Sequence, residues 1–333
     1  MELRHLRYFL AVAEERQLTR AAARLHIQQP PLSQQIHALE EEVGFALFVR
    51  MARGVELTPA GAAFADDVRA LMLGLDQSVI KAARIAAGQL GSVRVALTSS
   101  SAFHPLIPAA IREFREAYPE ITIDLSELNA AEIIERMQSG RIDAAILRKP
   151  IETPDTLQFD LLLEENMMLV LPAGHRLIKP AARNGASPTS KRASPHLNRA
   201  SPRIALDALA DESFIFVRRP GAPGMYADFI EACTAVGFNP RVVTEVPRMV
   251  TAINLVAAGA GVTLVPASMQ RYSQESVAYC LLDKDDAFTA PLHLVTARDV
   301  VNPAAARFAQ TVIAFAQKAR PPVPRRPAKP TPL

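Results

Sequence analysis

The 333-residue sequence is poor in the features that mark several protein classes. Its two cysteines, Cys233 and Cys280, stand far apart and form no metal-ligand spacing. They read as structural thiols rather than a disulfide. No apolar run is long enough to span a bilayer, although apolar residues make up 49% of the chain. The opening MELRHLRYFLAVAEER mixes charge with apolar residues, unlike a signal peptide or anchor. A cytoplasmic protein with no membrane partner is therefore expected. No G-x-S-x-G elbow is present, and no carboxylate is placed to complete a triad with His104 and the serines before it, so hydrolase chemistry is not expected. Nothing in the spacing calls for a metal or other cofactor.

Acidic residues are missing from two stretches. Segment 179–203 holds Lys179, Arg183, Lys191, Arg192, Arg199 and Arg203, and segment 318–333 holds Lys318, Arg320, Arg325, Arg326 and Lys329. These eleven charges exceed the formal net of +3, so the remainder carries a net −8. The pI near 9.0 thus belongs to two Pro/Ser/Ala-rich segments, which read as a disordered surface insertion (179–203) and a disordered tail (319–333).

What is present begins with helical pattern. A first helix is expected over Glu2–Arg16, with Leu3, Leu6, Leu10 and Ala13 on one face and Phe9 beside them. A short second helix follows, with Thr19 as N-cap and Ala21, Ala22 and Leu25 buried. Then comes HIQQPPLSQQIHALE, where Leu32, Ile36, Leu39 and Val43 recur at helix spacing behind Pro30 and Pro31. The first helical turn has N–H groups without a helical partner, so proline loses nothing there and its fixed φ suits the start. The opposite face presents Gln34, with Pro30, Ser33 and His37 near it. Small, amide and hydroxyl groups of this kind hydrogen-bond base edges and phosphates. ALFVR and GVELT form a two-stranded wing turning at Arg53-Gly54. Thr58-Pro59 caps a long helix to about Leu90, roughly 45 Å at 1.5 Å per residue. Its stripe of Phe64, Val68, Leu71, Leu75, Val79 and Ala82 needs a second helix to cover it, which predicts a dimer seam. Residues 1–66 carry about as many acids as bases, so DNA binding would depend on oriented groups and dimer avidity more than on bulk charge.

From Gly91 onward strands and helices alternate. SVRVALT, a helix over Phe103–Tyr118, EITIDLSEL, a helix over Ala130–Ser139 and RIDAAILR predict a parallel sheet. FDLLLEENMMLVLP, FIFVRR, RVVTEV, GVTLVP, VAYCLL and PLHLVTA are further strands, with helices near Pro223–Val236, Arg248–Ala258 and Pro303–Lys318. Ligands of open α/β sheets sit beyond the carboxyl ends of the strands. Those ends are Thr98-Ser99-Ser100-Ser101, Asn129, Arg148, and Arg218 with Pro220. Hydroxyls before a helix suit an anion, and an arginine fork suits a carboxylate. Ordinary capping of a helix explains the serines equally well, and a structural salt bridge is the competing role for Arg148.

The sequence resembles the LysR-type transcriptional regulators. The resemblance rests on LRHLRYFLAVAEE, LTRAAARLHIQQPPLSQQIHALEEEVGFALFVR, LTPAGAAF, GRIDAAILR and LVAAGAGVTLVP, and covers nearly all of the chain outside the insertion and tail. QPPLS and MELRHLRYF are similar to the subgroup that controls benzoate, catechol and chlorocatechol breakdown. The resemblance implies a multidomain α and α/β chain. Residues 1–58 would be a winged helix-turn-helix and 59–90 the linker helix. Residues 91–318 would be an effector domain with the two-lobe fold of periplasmic binding proteins, lobe I being 91–163 with 267–318 and lobe II 164–266. It implies a double-stranded operator with an inverted repeat, a homodimer or homotetramer, RNA polymerase as a further contact of an activator, and a small organic anion as effector. DNA-facing positions would be Gln29, Pro30, Pro31 and Ser33, joined on our reading of the faces by Gln34, Arg53 and Thr19. The family commonly has arginine at the position of Gln34 and serine at that of Gln28, so operator preference is expected to differ. A transport-type two-lobe protein without DNA function is the alternative.

Overall fold

The computed structural model describes residues 1–148, 153–178, 202–217, 226–283, 288–299 and 301–319. It divides into two units, residues 1–84 and 85–333.

In the first unit, α1 (Leu3–Glu15), α2 (Leu18–Arg24) and α3 (Gln29–Val43) enclose a core of Leu6, Phe9, Val12, Ala21, Ala22, Leu32, Ile36 and Leu39. Leu3 departs from expectation: the first residue of α1 lies outside this core and is exposed. Thr19 is not a cap either. Arg16 takes a left-handed turn (φ 53°), Gln17 is extended and holds the N-cap position, and Thr19 becomes the second residue of α2. The start of α3 follows the proline logic, one residue early. Gln28 is the N-cap without a side-chain bond, and Pro30 and Pro31 fill first-turn positions whose N–H would have no helical acceptor.

Strands β1 (Phe48–Met51) and β2 (Gly54–Leu57) pair antiparallel, Met51 opposite Gly54. Glu40 of α3 ties the wing down, accepting from the N–H groups of Leu47 (2.8 Å) and Phe48 (3.0 Å). The long helix α4 (Pro59–Ala86) starts at Thr58, whose Oγ1 accepts from Gly61 N and donates to Ala46 O, both at 2.8 Å. The Thr-Pro-x-Gly spacing has a steric reason: a Cβ on Gly61 would stand 2.0 Å from Leu47 O. Gly61, Ala65 and Val68 of α4 are buried; beyond them Leu71, Leu73, Val79, Ile80 and Ile85 are exposed.

The second unit is the two-lobe α/β domain. In lobe I, β3 (Gly91–Leu97) lies parallel to β4 (Ile121–Glu127) and to β5 (Ala144–Arg148). The helix expected over Phe103–Tyr118 is α6 (Leu106–Ala117), starting after Pro105, and a short unexpected turn, α5 (Ser99–Ala102), precedes it. α7 (Ala130–Gln138) follows β4, and α10 (Pro303–Ala319) packs Phe308 and Val312 against Val93, Phe114 and Ile146. The sheet is mixed rather than parallel, because β12 (Thr289–Ala297) runs antiparallel to β5 and to β6 (Leu157–Pro172).

β6 is the crossover. Its first part pairs with β12, and Met167–Pro172 pairs with β10 (Thr263–Pro266) and β11 (Val277–Leu282). Both faces of that second part are buried. Leu169 and Leu171 meet Phe214, Phe229 and Cys280, while Met168 and Val170 meet Ile253, Val265 and Tyr279. The strands β7 (Arg203–Ile204), β8 (Ser213–Val217) and β9 (Arg241–Val246), with α8 (Ala227–Ala235) and α9 (Met249–Ala257), complete lobe II. This corrects the lobe division expected at residue 267. Met269, Val277, Tyr279, Cys280 and Leu282 belong to lobe II cores, and the chain returns to lobe I only in β12. Arg203, expected at the end of a disordered insertion, forms a strand beside Leu281. Insertion residues 179–201, the tail from 320, and the predicted site residues Arg218 and Pro220 lie outside the described residues. Among the described residues no helix is long and apolar enough to cross a membrane.

Candidate nucleic-acid interface and effector cleft

Burying Leu32, Ile36 and Leu39 leaves the other face of α3 outward. Gln29, Pro30, Pro31 and Gln34 are exposed there, and Ser33 is half-buried. Arg53 is exposed at the wing turn, and Thr19 is exposed on α2. Among the described residues, the side chains of Gln29, Ser33, Gln34 and Arg53 have no hydrogen-bond partner. Ser33, Gln34 and His37 share a groove of about 290 Å³ with Arg50 of the wing. Sequence reading passed over Arg50, although an arginine in a strand next to a recognition helix is a signal for phosphate contact.

The second unit brings Thr98, Ser99, Ser100, Ser101, Asn129 and Arg148 to neighbouring strand ends, but most of their polar atoms are already engaged. Thr98 precedes α5, with its hydroxyl 3.4 Å from that of Ser100; Ser99 is half-buried. Ser101 is structural: its Oγ stands 2.8 Å from both Thr98 O and Ile146 O, tying the end of β3 to β5. Asn129 caps α7, accepting from Glu132 N at 3.1 Å, while its Nδ2 is buried without a partner. Arg148 is 4% exposed. It donates to Ala290 O (2.7 Å) and forms an ion pair with Glu165, which also accepts from Ser268 N (2.5 Å) and Ser268 Oγ (3.0 Å). Burial pulls the Arg148 guanidinium below its ordinary value and Glu165 opposes that; an arginine stays charged regardless. Among the described residues Arg148 Nε has no partner.

Glu165 and Ser268 are not anticipated by the sequence as parts of this region, and His104 is weighed there only as a triad member. Glu165 had a signal, because a glutamate in the middle of FDLLLEENMMLVLP demands a cation once the strand is buried. His104 Nδ1 accepts from Leu106 N at 3.2 Å; burial lowers its pKa first, with Glu165 raising and Arg148 lowering it.

Two further contacts join the lobes. Arg248, at the start of α9, pairs with Glu127 at the end of β4 (2.5 Å), and Phe103 meets Tyr272 edge-on with centroids 6.3 Å apart. The two arginine–carboxylate pairs differ in burial: the side chains of Arg148 and Glu165 are 3% and 10% exposed, those of Arg248 and Glu127 61% and 45%. Leaving one partner of a buried pair unpaired costs about 3–5 kcal/mol, whereas an exposed pair contributes about 0–1 kcal/mol.

A polar, proline-fronted helix beside a wing, ahead of a two-lobe domain, matches known proteins along its length. Residues 3–62 match the family described as "Bacterial regulatory helix-turn-helix protein, lysR family", and residues 86–317 match "LysR substrate binding domain". The chain belongs to the LysR family. It is a LysR-type transcriptional regulator, not an enzyme. It is 36% identical to the HTH-type transcriptional regulator AlsR of Bacillus subtilis over 85% of this chain and 86% of that one. With BenM of Acinetobacter baylyi the identity is 35%, over 88% of this chain and 89% of that one. Among solved structures, full-length CbnR complexed with its target DNA is 25% identical, with a TM-score of 0.69, and covers 95% of this chain and 100% of that chain. The helix-turn-helix excludes the alternative of a transport-type two-lobe protein without DNA function. In this LysR regulator the first unit is the DNA-binding head and the second the effector domain.

Proposed function

We propose that two copies of the chain, paired along α4, place their α3 helices on an inverted-repeat operator, and that a small organic anion bound between the lobes changes how they sit on it. The observation that carries this reading is the outward face of α3, where Gln29, Ser33 and Gln34 hold side chains with no internal partner. Pro30 and Pro31 keep that end narrow, and Arg53 with Arg50 supplies positive charge beside it. Leu71 and Val79 are exposed and Leu75 half-buried on one stripe of α4, which supports pairing, because a lone helix would leave that stripe in water. Dimers of such dimers give the tetramer, and an activator so placed contacts RNA polymerase. A protein that works on operator DNA is cytoplasmic.

The effector residues in this reading are Thr98, Ser99, Ser100 and Asn129, with Arg148 as the floor of the cleft and Ser101 as a structural tie. Likeness to the regulator named "Probable cat1 operon transcriptional activator" of Acinetobacter lwoffii supports activation, and the resemblance of QPPLS and MELRHLRYF to the benzoate, catechol and chlorocatechol subgroup supports an aromatic acid or its ring-cleavage product as effector. The test is a gel shift with the intergenic DNA beside the gene, with and without candidate acids. Wild type is expected to bind and to respond. The combined Gln29→Ala, Ser33→Ala, Gln34→Ala variant is expected to lose binding by more than about a hundredfold, at roughly 1–3 kcal/mol per contact. Undiminished binding by that variant rejects the recognition face.

A further inference from the structure

Among the described residues the lobes of the effector domain are bridged by Arg148 to Glu165, by Phe103 to Tyr272 and by Arg248 to Glu127, with Ser268 on Glu165. An incoming carboxylate must find a cation among them. Arg148 is a poor choice despite its place at the end of β5. Its Nη atoms are engaged by Glu165 and Ala290 O, and freeing it would strand a carboxylate that is itself 10% exposed. Arg248 differs in every respect. It stands at the start of α9, just beyond the carboxyl end of β9, and faces the carboxyl end of β4. Its only described partner, Glu127, is half-exposed, so releasing it returns the displaced carboxylate to water.

We propose that Arg248, not Arg148, takes the carboxylate of the effector, in direct exchange for Glu127. The proposal rests on the organic-anion reading above. Glu127 is then an internal stand-in: a carboxylate already seated on the effector's cation, linking lobe I to lobe II until an effector displaces it. The effector replaces that link with its own body. Two buried N–H groups with no partner among the described residues, Arg148 Nε and Asn129 Nδ2, belong to neighbouring strand ends. They are donors in want of an acceptor, which fits an acid carrying a second oxygen away from its carboxylate. The exchange also predicts the sign of an unusual mutation: removing an acidic residue from the cleft should strengthen binding of an acid beyond the general gain from lost repulsion, and only when Arg248 is present.

The experiment is calorimetric titration of the full-length protein with 2-hydroxybenzoate and cis,cis-muconate, each beside its amide. Wild type is expected to prefer acid over amide by about tenfold or more, as expected for one charge-assisted contact. Arg248→Gln should bring that ratio close to one, and Arg248→Lys should restore part of it. Glu127→Gln should tighten acid binding several-fold without changing the amide, and should have no such effect in the Arg248→Gln background. An Arg248→Gln protein that keeps the wild-type acid preference overturns the proposal. Weakened acid binding in Glu127→Gln overturns the exchange, since Glu127 would then be holding Arg248 in place for the ligand. Failure of both acids to bind wild type while the protein still shifts DNA overturns the organic-anion reading and this proposal with it. Unchanged DNA binding and unfolding temperature in each variant establish that the fold is intact.

Discussion

The proposed recognition face and the proposed effector cleft use polar side chains in opposite ways. On α3, Gln29, Ser33 and Gln34 have no internal partner, and the fold beneath them is held by Leu32, Ile36 and Leu39. In the cleft, Arg148, Glu165 and Ser268 hold one another, and Ser101 ties the end of β3 to β5. The first arrangement separates recognition from stability; the second merges them. A face whose groups are idle must be completed by something outside the chain. A cleft whose groups are engaged must release one contact to gain another, so a ligand there changes the domain as it binds.

The largest consequence falls on Arg148. Arg148→Ala leaves Glu165 buried and without its cation, and should destabilise the protein by about 3–5 kcal/mol in denaturant unfolding. The paired change Arg148→Met with Glu165→Leu should recover much of that loss, because two apolar side chains of similar size have no charge to compensate. A cost below about 1 kcal/mol for Arg148→Ala would show that the pair is as exchangeable as an exposed one, and would erase the contrast with Arg248.

Within the head the contrast can be measured on neighbouring polar residues. Thr58 is engaged, to Gly61 N and Ala46 O, and Thr58→Ala should cost about 1 kcal/mol, the usual value of a helix cap. Gln29→Ala and Gln34→Ala should each stay within about 0.5 kcal/mol, as exposed substitutions do, while operator binding falls. Unfolding curves and gel shifts on the same preparations decide this. Equal stability losses at Thr58 and Gln34 would mean that the recognition face also supports the fold.

The same difference explains how much could be read from residues alone. The head was legible because its signals are local. Proline at a helix start, an apolar stripe and Thr-Pro-x-Gly each depend on residues within one or two turns. Even there, one left-handed residue, Arg16, moved the start of α2 and displaced Thr19 from the cap. In the second unit the strands were legible but not their partners. VAYCLL has the same alternation whether it pairs with the first or the second half of β6, and it takes the second, so the lobe boundary falls later than expected. Thr98, Ser100 and Arg148 were identifiable as strand-end polar groups. That Ser101 bonds Ile146 O, 45 positions away, and that Glu165 rather than Glu164 turns toward Arg148, depends on sheet register. Glu127 and Arg248 carry no local signal for each other, being 121 positions apart.

The smallest expected effect tests whether the engaged network reaches His104. Its Nδ1 accepts a backbone hydrogen bond from Leu106, so protonation there breaks a contact, and burial holds its pKa below the ordinary 6.5. The charged groups acting on it are Glu165, which favours the proton, and Arg148, which opposes it. With a lower pKa folded than unfolded, the unfolded chain takes up the proton first as pH falls. The contribution is therefore present above about pH 6.5 and is lost as pH falls from there to the folded value. His104→Asn keeps an acceptor for Leu106 N and removes the titration. Stability of the two proteins should run parallel above pH 7 and diverge below 6.5, with wild type losing more. Identical slopes down to pH 5 would mean that His104 is protonated as easily in the folded chain as in the unfolded one, so that burial and the Arg148–Glu165 pair together impose no net penalty on its charge.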